Sequence, residues 1–93
     1  MVRFYYARDG VHKYVAVFNN PHQRVPFGAL GYDDFTITND RYRKKLYLNR
    51  HRKRENWNDP RTPGALSRWI LWNKPTLEES IEHYIKKFNM HYE

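Results

Sequence analysis

A chain of 93 residues is one domain's worth, and the absence of cysteine excludes both a disulfide frame and a thiolate metal site. Seventeen Lys and Arg against ten Asp and Glu leave a formal charge of +7, which favours a polyanion partner: nucleic acid, an acidic protein face or an anionic membrane surface. Hydrophobic content of 40% argues against disorder, and no run approaches membrane-spanning length, so a protein that is not secreted and has no membrane span is expected.

The predicted architecture is a single α+β domain over 1–93, a small N-terminal antiparallel hairpin or three-stranded sheet followed by three helices. In the β region, 1–27, Val2, Phe4 and Tyr6 alternate with Arg3 and Tyr5, and Lys13 to Phe18 is rich in β-branched and aromatic residues. Asp9-Gly10 between these runs is a hairpin signal, because glycine supplies the positive φ such a turn needs. Asn19-Asn20-Pro21 is a second turn, and Gln23 to Phe27 reads as a third strand that Pro26 confines to an edge. Residues 28–38 read as a loop, with either a short helical turn or irregular chain at Tyr32 to Thr36.

A basic helix over 39–54 follows, capped by Thr38, Asn39 or Asp40. Thr62-Pro63 opens a second helix over 62–73, apolar around most of its circumference and so expected at the buried centre. Lys74-Pro75 ends it. Thr76-Leu77-Glu78-Glu79 is a capping box for a last amphipathic helix over 76–89. Leu77, Ile81, Tyr84, Ile85 and Phe88 share its inner face, with Glu early and Lys86 and Lys87 late, as the helix dipole prefers.

The segment Arg41 to Arg54 holds eight of the seventeen Lys and Arg residues and no acid. Like charges three and four residues apart on a helix repel by a few tenths of a kcal/mol per pair, roughly, so an external counter-charge would relieve a real cost. Arg41, Arg43, Lys44, Lys45, Arg50, Arg52, Lys53 and Arg54 are therefore the candidate partner-binding cations. Tyr47 joins them as a ring able to stack on a base, while Tyr42 and Leu46 are expected to form the packing seam. The competing reading is a solvated helix whose arginines pair with Asp33, Asp34, Glu55 or Asp59 of the same chain.

No catalytic set is evident. The five histidines show no zinc-ligand spacing, so no metal and no cofactor is expected. A carboxylate cluster of Asp33, Asp34 and Asp40 beside a basic helix is the one arrangement that would suit a metal-dependent nuclease. Arg68, on the apolar helix, is either a buried, paired arginine or that helix's single exposed charge, and Trp57, Trp69 and Trp72 are expected in the core.

Gly28-Ala29-Leu30-Gly31-Tyr32-Asp33-Asp34-Phe35-Thr36, Asp40, Arg43-Lys44, Tyr47, Arg50-His51-Arg52, Glu55-Asn56-Trp57, Thr62-Pro63-Gly64, Ser67-Arg68-Trp69 and Leu71-Trp72-Asn73-Lys74-Pro75-Thr76-Leu77 resemble an uncharacterised family of small proteins encoded by large double-stranded DNA viruses of algae and amoebae. The resemblance runs from about Gly28 to Phe88 and implies a viral setting, in the virion or the cytoplasm of an infected cell, without implying any chemistry. The expected function is that of a non-enzymatic, virion-associated minor structural or capsid component that contacts other virion proteins or packaged DNA. The alternatives are a free nucleic-acid-binding module acting in replication or packaging and, more remotely, the nuclease.

Overall fold

The computed structural model describes residues 1–91. Three strands, β1 (Val2–Tyr6), β2 (His12–Phe18) and β3 (Gln23–Ala29), form an antiparallel sheet in the order β1-β2-β3. The helices α1 (Phe35–Thr38), α2 (Arg41–His51), α3 (Pro63–Leu66) and α4 (Leu77–Lys87) follow, with α3 continued by a π-helical turn at Ser67–Leu71. The α+β architecture is the expected one.

Register decides which side chains reach the core. Val2, Phe18 and Gln23 line up across the sheet, as do Phe4, Ala16 and Val25, and then Tyr6, Tyr14 and Phe27. Because side chains alternate along a strand, these rows share one face, and that face receives the helices. Val2, Ala16, Phe18, Val25 and Phe27 pack there with Leu66, Ile70 and Leu71 of the α3 segment and Tyr84 of α4. Phe4 meets Phe27 and Tyr84 edge-on, with ring centroids 6.2 and 5.9 Å apart. Such T-shaped contacts suit the ring quadrupoles and give a small domain a dense centre.

Pro26 lies in β3, an edge strand, as a residue without an N–H requires. The β1–β2 turn is wider than a two-residue hairpin: Gly10 has φ +73°, and the Asp9 carboxylate accepts from the amides of Val11 and His12, both at 2.8 Å. Arg61 pins the β2–β3 turn from a distance, donating to the carbonyls of Pro21 (2.8 Å) and Asn19 (3.1 Å) and lying 4.6 Å from the Phe18 ring centroid.

Three boundaries differ from expectation. The strand β3 runs on to Ala29, past the expected end at Phe27, and of the two readings of 28–38 the short helical turn is the one formed, as α1 capped by Asp34. The basic helix ends at His51, and residues 52–54 form a turn. Past the turn, Glu55 accepts from His51 Nδ1 and Trp57 Nε1, both at 2.8 Å. The 62–73 helix is one α turn passing into a π turn that closes with Trp72 N–H donating to Ser67 at 3.1 Å. There Gly28, at φ +80°, lies so close that an added Cβ would sit 2.8 Å from Leu71 Cδ1. Thr76 caps α4, its Oγ1 accepting from the Glu79 amide (3.1 Å) and donating to the Glu79 carboxylate (3.0 Å).

Candidate functional site

Asp40 starts the basic helix, its carboxylate accepting from the amides of Tyr42 (3.0 Å) and Arg43 (3.2 Å). From there the helix presents a different inner face from the expected one. Tyr42 is 69% exposed and Leu46 is 38% exposed, whereas Tyr47 is only 7% exposed. The packing stripe is Lys44, Tyr47, Leu48 and His51, at positions i, i+3, i+4 and i+7. Tyr47 stacks between His51 (centroids 4.2 Å apart) and Trp72 (4.5 Å), so both faces of its ring are covered. It anchors the helix and offers no face to a base, which corrects its assignment as a partner-stacking residue. Burial, aided by the nearby Glu55, pushes its phenol above the ordinary tyrosine value and keeps it neutral.

The acids that could neutralise the segment internally are almost all engaged elsewhere. The Asp34 carboxylate, nearly buried, takes Lys13 Nζ at 2.6 Å and the Thr36 amide at 2.9 Å. Asp59 accepts from the Arg61 amide at 3.1 Å, and Glu55 takes His51 and Trp57. Among the described residues, only Asp33 reaches one of the segment's Lys or Arg side chains, 3.4 Å from Arg43. Lys44 donates to the Asn73 carbonyl at 2.7 Å. Among the described residues, Arg41, Lys45, Arg50, Arg52, Lys53 and Arg54 have neither an ion pair nor a hydrogen-bond acceptor for their cations, and all six are exposed.

A cleft of about 590 Å³ opens between α2 and the sheet, lined among others by Lys13, Asp33, Asp34, Arg43, Arg50, His51 and Glu55. Asp40 is not part of it, being the α2 cap, so the three carboxylates of the nuclease reading do not converge. Among the described residues no three His, Asp or Glu side chains gather as a metal site would need.

Arg68 is half-buried, with Nη1 donating to the Trp72 carbonyl at 2.7 Å, Nε buried without a partner, and its guanidinium 4.1 Å from the Trp69 ring centroid. It is neither paired with a carboxylate among the described residues nor simply exposed. Burial lowers its pKa, and burial together with Arg68, Lys74 and Arg41 lowers that of Lys44. The tryptophans expected in the core sit at its rim: Trp69 Nε1 reaches the Trp57 carbonyl at 2.8 Å, and all three rings are half-buried.

His83 carries a pH dependence. Its Nδ1 accepts from the Asn73 amide at 2.7 Å, which requires neutral imidazole. Burial, then Lys74, Lys87 and Arg68, hold its pKa below the ordinary 6.5. The unfolded chain therefore binds this proton more readily, so stability is lost as pH falls from 6.5 toward the depressed folded value. Melting temperature is expected to fall more between pH 7 and 5.5 in the wild type than in His83→Gln. An imidazole midpoint above 6.5 by NMR would show that Asn73 presents its carbonyl instead.

No curated protein and no solved structure matches the chain. A family model does match, over residues 2–51, which span the sheet, the Asp33-Asp34 loop, α1 and α2. That span takes in the N-terminal strands as well as the basic helix. On this match over more than half its length, the chain belongs to the family of unknown function DUF5754.

Proposed function

We propose that this chain is a non-enzymatic polyanion-binding protein whose 41–54 segment contacts the phosphates of nucleic acid or the acidic face of a protein partner. The setting we propose, on the sequence resemblance, is a large DNA virus, with the protein a minor structural component of the particle. The observation that carries the binding function is the set of six exposed, unpartnered cations on one short segment, with the neighbouring acids committed elsewhere. A surface that merely keeps a protein dissolved mixes its signs, as α4 does with Glu78, Glu79 and Glu82 against Lys86 and Lys87. This one does not. The aromatic core gives the segment a rigid support, since Tyr47 and Trp72 lock it to the domain.

Affinity for a short duplex DNA should fall steeply with salt, with a log–log slope near −0.9 per phosphate contacted, about. Lys45→Ala and Arg52→Ala should each weaken binding similarly across sequences and flatten that slope by about one. A flat salt series, or variants indistinguishable from the parent, would remove nucleic acid as the partner. Binding to an acidic polypeptide would then be the remaining form of the proposal.

A further inference from the structure

The cations of the basic segment divide between two flanks of α2. At 100° per residue, Arg43, Leu46, Tyr47 and Arg50 fall on one side of the helix, and Arg41, Lys44, Lys45 and Arg52 on the other. The first side faces the cleft, where Arg43 and Arg50 share the space with Asp33, Asp34 and Glu55, so charge there nearly cancels. The second side faces a groove of about 770 Å³ that runs between α2 and the Asn73–Pro75 turn. Five cations line it, Arg41, Lys44, Lys45, Arg52 and Lys74, against one carboxylate, Glu79. That carboxylate accepts from the Thr76 hydroxyl.

We propose that this groove is a phosphodiester-binding site that holds the backbone of a nucleic-acid strand on Arg41, Lys44, Lys45, Arg52 and Lys74; it rests on the polyanion-binding function above and gives it a location. Lys74 comes from outside the basic segment and closes the far wall. Lys44 is fixed in place by the Asn73 carbonyl at 2.7 Å and by the Phe35 ring, 4.9 Å from Nζ. Its charge is already disfavoured by burial and by Arg68, Lys74 and Arg41, a cost that a bound anion would offset. Arg68 adds positive potential from behind without a neutralising carboxylate among the described residues.

The array also has the dimensions of a strand. The eleven residues of α2 extend about 16 Å at 1.5 Å per residue. That is long enough for more than one phosphate of a strand to be met at once. A single small anion would leave most of the array unmatched.

The test is fluorescence anisotropy with a labelled single-stranded oligonucleotide and with its duplex, comparing the parent chain, Lys74→Gln, Arg52→Gln and Arg43→Gln. Lys74 and Arg52 are exposed, so both variants should keep the parent's melting temperature. Each should weaken binding roughly fivefold at low salt and reduce the salt slope by about one, while Arg43→Gln changes affinity less than twofold. Preference for one probe identifies the form of strand the groove holds. If the parent binds and Lys74→Gln binds equally well, the groove assignment is wrong while polyanion binding by α2 stands. If the parent ignores both nucleic acids but binds polyglutamate, the phosphodiester assignment is wrong. If it binds no polyanion at all, both proposals fall together.

Discussion

Asp34→Ala should be the most damaging single change near the candidate site, costing about 3–5 kcal/mol, the range for removing one partner of a buried ion pair. The residue is 2% exposed, and its Lys13 partner is itself largely covered. Without the carboxylate, Lys13 of the central strand is left as an uncompensated cation. The start of α1 also loses its cap, since Asp34 accepts from the amide and hydroxyl of Thr36. A cap alone contributes about 0.5–2 kcal/mol. Small domains have only about 5–15 kcal/mol in hand, so the variant should show a large loss of urea midpoint. Replacing both partners, Asp34→Asn with Lys13→Met, should recover part of the loss, because the orphaned charge is then absent. A single variant within about 1 kcal/mol of the parent would contradict this structural role. A dispensable Asp34 whose loss abolished metal-dependent DNA cutting would instead revive the nuclease alternative.

Tyr47→Ala should cost about 3–5 kcal/mol if the loss is global, by analogy with other buried aromatic truncations. The expected damage is concentrated in α2. Tyr47 is that helix's one buried side chain, and its ring fills the space between His51 and Trp72. An eleven-residue helix is marginal in water on its own, and the like charges along this one weaken it further. Amide exchange should therefore accelerate across 41–51 while β2 keeps its protection. Affinity for duplex DNA should drop with it, because the cations are no longer held in one array. Tyr47→Phe is the control: it keeps the stack, loses only the hydroxyl's bond to Ser67, and should cost about 1 kcal/mol. Uniform exchange across the molecule after Tyr47→Ala would show that α2 and the sheet unfold as one unit.

Local signals were sufficient for the elements. Alternation in Val2 to Tyr6, the Asp9-Gly10 and Asn20-Pro21 turns, Thr62-Pro63 and the Thr76 cap act within a few residues, and the strands and helices start where those signals place them. Sequence pattern and structure part where a distant partner decides the outcome. Tyr42 looked like a packing residue because it is apolar and spaced four from Leu46, yet the inner stripe of α2 includes Lys44 and His51. A periodicity built on hydrophobic residues passes over a lysine whose ammonium is satisfied by the Asn73 carbonyl and a histidine stacked on a tyrosine.

By itself the sequence determined the α+β class, the Thr62 and Thr76 helix caps, the edge position of Pro26 and the concentration of eight cations between Arg41 and Arg54. These follow from backbone preferences and net charge, which need no knowledge of what lies opposite. Only the tertiary structure decided that Asp34 serves Lys13, that Glu55 serves His51 and Trp57, and that Lys74 joins the basic helix across a groove. Pairing of this kind depends on distance, and residues far apart in the chain acquire a distance only when the core has brought them together.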